Sequence, residues 1–304
     1  MENNNNIIQD TDEVESVPFL RANFLYHAYA ILGEGAYWST QDELLYWIDI
    51  EGRKLFAWDP RKMTNTVTQL SARPGTVVQR TNGELLIALQ GGIVTYNTVT
   101  KESKVVAHPD KNVHNRYNDG KCDPQGRFWI GTMNLDASSP TASLYTIGDG
   151  FNTQTKLSNV RISNGIIWSL DSKKMYYIDT PTLGVDEYDF DAASGTISNK
   201  KRIITFSGPD GSPDGMTIDA QGNLWIAHWE GGKVSKWNPN TGKRLLEVLV
   251  PNVTRVTSVA FGGPNLATLY ITTARESRQP SSGALFQYQF LDGTKGVAAH
   301  KFRG

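Results

Sequence analysis

Cysteine is nearly missing from this chain: Cys122 is the one example in 304 residues. A single cysteine forms no intrachain disulfide and no Cys-based zinc site. Its surroundings, "NDGKCDPQGRFW", carry no Cys/His pairing, so Cys122 reads as a small buried strand residue rather than a nucleophile. No apolar run approaches the roughly 18 residues of a membrane span. The opening "MENNNNIIQDTDEVES" lacks the basic start and apolar core of a secretory signal. It is Asn-rich and acidic, and a disordered tail is expected over residues 1–17. Excess charge is absent as well: 30 basic residues stand against 31 acidic ones, net −1, with no long basic run. Nucleic-acid and membrane-surface partners therefore have little electrostatic support, and with no secretory signal pattern the cytoplasm is the expected compartment.

Helical periodicity is also scarce. What is present instead is a succession of short β-rich runs, punctuated by Gly, Asn, Asp and Pro, and the runs repeat. Units begin at Ala36 ("AYWSTQDELLYWIDIEGRKLFAWDP"), Gly75, Asn118, Asn164, Asp214 and Thr257, spaced by 39, 43, 46, 50 and 43 residues. Each has a short strand, a polar turn, an apolar strand rich in aromatics, and a third strand. A period in the forties with several strands per unit marks a β-propeller blade. The strands of a sandwich do not recur as units of this length. The expected fold is all-β: a six-bladed β-propeller of four-stranded antiparallel blades, one domain over residues 18–304, around a central metal-binding channel. A ring must close, and residues 21–32 ("RANFLYHAYAIL") are placed to supply a strand beside the C-terminal blade.

In a propeller the innermost strands line the channel, so residues at the start of each unit are neighbours in space. There stand Glu34 in "LGEGAYW", Arg116, Asn118 and Asp119 in "NRYNDGK", Asn164 in "RISNGIIWS" and Asp214 in "SPDGM". Taken singly, Asn118-Asp119-Gly120, Asn164-Gly165 and Asp214-Gly215 are ordinary turn sequences. Their common register argues for more, because units two and six carry uncharged Gly75-Thr76 and Thr257-Ser258 at the same place. Two carboxylates and an amide oxygen facing a narrow channel repel one another unless a divalent cation sits between them. An all-oxygen set favours Ca²⁺, Mg²⁺ or Mn²⁺ over Zn²⁺ or Fe²⁺. Three protein donors leave positions for water and substrate. The five histidines are scattered, with no His-Glu-x-x-His motif and no Gly-x-Ser-x-Gly elbow. Of these, His228 reads as packed and His114 as near the mouth.

The stretches "LGEGAYW", "NRYNDGKCDPQGRFWIGTM", "ISNGIIWSLDSKKMYYIDT" and "PDGMTIDAQGNLWIAHWEGGKV" closely resemble the senescence marker protein / gluconolactonase / luciferin-regenerating enzyme family. The resemblance runs from about residue 25 to the end. It implies one divalent metal in the channel and hydrolysis of sugar lactones such as gluconolactone to the aldonic acid. It implies Glu34, Asn164 and Asp214 as metal ligands, Asp214 also as general base and acid, and Arg116 and Asn118 as substrate contacts. A further acidic contact falls on Asp136, where animal members carry the longer Glu, in a lid loop ("NLDASSPTAS") shorter than theirs. The implied partner is a small-molecule sugar lactone, with the chain a monomer or weak homodimer. Two rival readings are an organophosphate-type esterase at the same metal, and a non-enzymatic Ca²⁺-binding regulatory propeller.

Overall fold

A computed structural model describes residues 16–304. Apart from residues 16 and 17, the tail expected at the N-terminus lies outside the described residues. Two short strands open the chain, β1 (Phe19–Arg21) and β2 (Asn23–Tyr26). Six repeats follow, each starting with a strand that lines the central axis. Blade one runs from β3 (Gly33–Ser39) through β4 (Leu44–Asp49) and β5 (Lys54–Asp59) to β6 (Thr64–Gln69). Blade two comprises β7 (Pro74–Gln79), β8 (Leu85–Leu89), β9 (Gly92–Tyr96) and β10 (Ser103–Ala107). Blade three comprises β11 (Asn115–Cys122), β12 (Phe128–Asn134), β13 (Ala142–Ile147) and β14 (Thr153–Val160). Blade four comprises β15 (Ser163–Trp168), β16 (Lys174–Asp179), β17 (Gly184–Asp191) and β18 (Thr196–Thr205). Blade five comprises β19 (Ser212–Ile218), β20 (Leu224–Trp229), β21 (Lys233–Asn238) and β22 (Lys243–Leu249). Blade six comprises β23 (Val256–Gly262), β24 (Thr268–Thr273) and β25 (Leu285–Gln289). Within each blade, successive strands pair antiparallel. The helical content among the described residues is three 3₁₀ turns, 149–151, 180–182 and 208–210.

The N-terminal segment closes the ring as expected. Strand β2 supplies the outer strand of blade six, pairing antiparallel with β25 (Phe24 opposite Phe286). What the repeat pattern did not announce is β1, which adds a fifth strand to blade five, parallel to β22. The two contacts clasp neighbouring blades with one peptide. Burial follows radial position. The inner strands β3, β7 and β23 are buried throughout, whereas β6, at the rim, is half-buried to exposed. The inner strand is flanked by channel and both neighbouring blades, and β3, β7, β11, β15, β19 and β23 touch in sequence, with β23 returning to β3.

Aromatic side chains fill the wedges between blades. Trp129 and Trp168 meet edge to face at 5.7 Å between blades three and four, and Trp38 stacks on Tyr270 at 5.8 Å between blades one and six. Such pairs contribute about 0.5–1.5 kcal/mol beyond the area they bury. Beyond β25 the chain crosses the far end of the channel. Gly296 bridges to Asp219 of blade five, and Phe302 and Arg303 hydrogen-bond along blades two and three. Its Val297–His300 stretch closes a cavity of about 230 Å³ walled by all six inner strands. The channel therefore opens at one end.

Candidate active site

At the open end, every inner strand carries the same irregularity. Its register against the second strand jumps by one residue: between Glu34 and Tyr37, Pro74 and Val77, Tyr117 and Gly120, Ser163 and Ile166, Pro213 and Met216, and Val256 and Ser258. A β-bulge bends the strand and re-aims side chains. Asn118-Asp119, Asn164-Gly165 and Asp214-Gly215 occupy these bulges, and Glu34 directly precedes the one in blade one. The candidate residues thus lie inside the first strands, not in turns ahead of them. The chain's real Gln-Gly turns show the contrast: Gly126 and Gly222 have φ of +83° and +84°, while Gly165 and Gly215 do not adopt positive φ. Glycine is needed at these two for proximity. A Cβ on Gly165 would lie 2.6 Å from Met216 Cβ, and one on Gly215 would lie 2.8 Å from the Thr257 carbonyl. The inner strands approach too closely for any side chain there.

The bulges assemble one buried polar cluster from four blades. Arg116 Nη1 donates to Asn118 Oδ1 (2.6 Å) and to the Tyr117 carbonyl (3.1 Å). Asn118 Nδ2 donates in turn to Asn164 Oδ1 (2.9 Å) and to the Ser163 carbonyl (2.7 Å). Asn164 Nδ2 donates to Thr180 Oγ1 (2.7 Å), whose hydroxyl donates to the Pro213 carbonyl beside Asp214 (2.8 Å). This chain of bonds fixes the Asn164 amide with its oxygen toward Asn118 and the channel. Glu34 and Asp214, from blades one and five, lie close enough for each carboxyl to bear on the other's ionisation. Glu34, Arg116, Asn118, Asp119, Asn164 and Asp214 are all buried.

Burial and mutual repulsion dominate the electrostatics. Desolvation, then the charge of Asp119, push the Glu34 carboxyl up to about 8. The same burial, with Glu34 and Asp119 nearby, holds the Asp214 carboxyl well above the usual carboxylate range. Burial lowers Arg116, and the Glu51 and Glu34 carboxylates oppose that. Among the described residues, Asp214 Oδ1 and Asp119 Oδ2 are the two buried carboxylate oxygens with no hydrogen-bond partner. Buried acceptor oxygens without donors, in a cluster of mutually repelling carboxylates, are what the charge of a hard cation would offset, so the cluster fits one. No three His, Cys, Asp or Glu side chains come together as a metal site among the described residues, so a cation here would need a third donor of another kind, and the Asn164 amide oxygen is the neighbouring candidate.

Asp136 stands apart from this group. It is exposed in the loop after β12, its backbone N–H donates to Asn134 Oδ1 (3.0 Å), and its side chain joins none of the cluster's hydrogen bonds. His114 is likewise exposed. His228 is packed as expected, with Nε2 against Ser235 Oγ at 2.6 Å and its ring pushed down to about 3 by burial. Cys122 is buried and its thiol raised by desolvation. Thr180 is a residue the sequence did not single out. It sits in a 3₁₀ turn between second and third strands, outside the repeated register that revealed the others.

Residues 32–275 match the family model described as the SMP-30/gluconolactonase/LRE-like region. Regucalcin of Xenopus laevis is 35% identical over 286 residues, spanning 90% of this chain and 95% of that protein. The YvrE protein of Bacillus subtilis, by its description a candidate sugar lactone lactonase, is 37% identical over 274 residues, spanning 87% and 93%. Among solved structures, a luciferin-regenerating enzyme superimposes with a TM-score of 0.84 at 34% identity, over 90% of this chain and 96% of that one. A regucalcin from Agrobacterium tumefaciens, described as a calcium-binding protein, superimposes at 0.88 with 25% identity, over 95% and 100%. The four-blade cluster of bulged polar residues, carried on a six-bladed propeller, is thus that of a protein belonging to the SMP-30/gluconolactonase/LRE-like family.

Proposed function

We propose that this protein is a divalent-cation-dependent hydrolase that opens sugar lactones such as gluconolactone to the aldonic acid. The observation that carries the reading is the pair of orphaned carboxylate oxygens, Asp214 Oδ1 and Asp119 Oδ2, inside a cluster whose charges otherwise repel. Family membership, and the lactonase description of the Bacillus relative, supply the substrate class.

Glu34, Asn164 and Asp214 would hold the cation, with Ca²⁺, Mg²⁺ and Mn²⁺ preferred by the oxygen donors. When bound, it supplies Lewis-acid polarisation of the lactone carbonyl. The remaining chemistry belongs to the chain. Asp214 takes a proton from the attacking water as the water oxygen bonds to the carbonyl carbon. It returns that proton to the ring oxygen as the C–O ester bond breaks, leaving a carboxylic acid and an alcohol. Arg116 commits Nη1 to Asn118 and Tyr117, so Nε and Nη2 are left for substrate hydroxyls and the developing oxyanion. Asn118 holds Arg116 on one side and Asn164 on the other, which keeps substrate contact and cation donor in fixed relation. On this reading Asp136, in the loop after β12, would meet the far end of a substrate.

The test is hydrolysis of gluconic, galactonic, xylonic and arabinonic lactones by purified protein, stripped with chelator and then reloaded with each of Ca²⁺, Mg²⁺, Mn²⁺, Zn²⁺ and Fe²⁺. Activity lost on chelation and restored by one or more ions is expected. If no aldonolactone opens with any ion, the enzymatic reading fails and a binding role replaces it. Faster turnover of a paraoxon-like triester than of every lactone would overturn the substrate class.

A further inference from the structure

Asp119 is left over from the donor set, and its position is hard to explain on structural grounds. It is the second bulge residue of β11, directly after Asn118, and it is 6% exposed. One carboxylate oxygen accepts the Gly120 N–H at 2.7 Å, a bond that the isosteric asparagine oxygen would accept equally well. The other, Oδ2, is buried with no partner. No lysine or arginine forms a salt bridge with Asp119 among the described residues. A buried, unpaired charge costs several kcal/mol. Its field is felt by both neighbouring carboxyls, Glu34 and Asp214.

The balance of charge gives this cost a purpose. Glu34 and Asp214 facing Arg116 sum to one negative charge when ionised. Asp119 brings the sum to −2. The next pair outward, Arg73 and Glu51 at 2.8 Å, cancels itself. We propose that Asp119 is the charge-balancing residue of the cation site: outside the Glu34–Asn164–Asp214 donor set, it raises the site's charge to match a divalent ion and so sets its affinity. Its carboxylate does not gather with those of Glu34 and Asp214 into a three-carboxylate ligand group, so it acts through charge rather than as one more ligand. The inference rests on the cation-dependent reading above and goes beyond it by naming what tunes the ion.

The experiment is calorimetric titration of chelator-stripped full-length protein with Ca²⁺ and with Tb³⁺, comparing wild type, Asp119→Asn and Asp119→Ser. Asp119→Asn keeps the acceptor for Gly120, so its metal-free thermal midpoint stays at or above that of wild type, and Asp119→Ser serves as a second charge-removing variant. Ca²⁺ affinity falls by about tenfold or more, and because Coulomb energy scales with ionic charge, the loss in log affinity for Tb³⁺ is about 1.5 times that for Ca²⁺. A purely structural role would weaken both ions equally. Variants whose Ca²⁺ affinity stays within threefold of wild type, or whose log-affinity losses for the two ions are equal, overturn the proposal while leaving the cation site intact. A wild type that binds no divalent cation overturns the underlying cation-dependent reading instead.

Discussion

Two pairs of aspartates at opposite ends of the same two strands behave in opposite ways. Asp119 and Asp214 sit in the bulges of β11 and β19, near the open mouth. Asp123 and Asp219 follow directly after those strands, toward the closed end. All four are buried. Asp123 accepts the backbone N–H groups of Gln125 and Arg127, the Arg127 guanidinium at 2.6 Å and Trp129 Nε1 at 2.9 Å. Asp219 repeats the pattern with Gln221, Asn223 and Trp225, and adds Lys236 at 3.0 Å. Every oxygen at the closed end is used, and each carboxylate there ties a turn to a tryptophan and a cation. At the open end an oxygen of each is unused. Burial alone does not separate architecture from chemistry; burial without satisfaction does.

The sharpest way to break this comparison is to truncate one member of each kind. Asp219→Ala strands Lys236, Trp225 and two backbone donors in the interior. It should destabilise the fold by about 3–5 kcal/mol, read as a lowered denaturant midpoint. Asp214→Ala should leave the metal-free fold as stable or more so, while cation binding and lactonase activity disappear together. Substantial metal-dependent turnover by Asp214→Ala would remove that residue from both roles.

Next in size is the pH response of the chelated protein. Glu34 holds its proton up to about 8 in the folded state but only to 4.5 when unfolded. Between those values the native state binds the extra proton, so stability conferred by the protonated form is greatest near pH 4.5 and is lost as pH rises toward 8. A fall of a few kcal/mol across that window is expected for a shift of this kind. Saturating cation should flatten it, because the ion replaces the proton as the partner of the carboxylates. Thermal melts at pH 5 and pH 8, with chelator and with Ca²⁺, measure this directly.

Smaller effects belong to the positioning groups. Asn118→Ala removes the donor that fixes Asn164 and the acceptor that fixes Arg116. It should lower kcat/KM by about 10–100-fold, with a milder loss of cation affinity. Asp136→Ala, in an exposed loop, should leave stability and cation affinity unchanged and raise KM only a few-fold. A large fall in kcat would move it into the cluster.

Much of this was legible before any coordinates. Six units, their spacing, and the closing role of residues 21–32 all showed in the repeat pattern. So did Glu34, Arg116, Asn118, Asn164 and Asp214, which fall at the entry to the first strand in units one, three, four and five. Other features were not. Asp-Gly and Asn-Gly read as turns, because bulge and turn use the same residue types and differ only in what lies opposite. The crowding that demands Gly165 and Gly215 comes from the next blade, 40 or more residues away in sequence. Thr180 lacks a counterpart in the repeat grammar and becomes visible only through its bonds to Asn164 and the Pro213 carbonyl.

By itself the sequence determined the blades, since strand alternation and turn chemistry act within a few residues and repeat wherever the pattern repeats. It also determined the donor types available to the channel. Tertiary structure decided how those donors meet: a shared bulge in every inner strand, the Asn118–Asn164 amide contact across two blades, Glu34 and Asp214 brought into one buried cluster, and the two oxygens left without partners. The reason is ring closure. Satisfaction of a buried atom depends on groups brought from other blades, and no local pattern encodes which donors arrive and which do not.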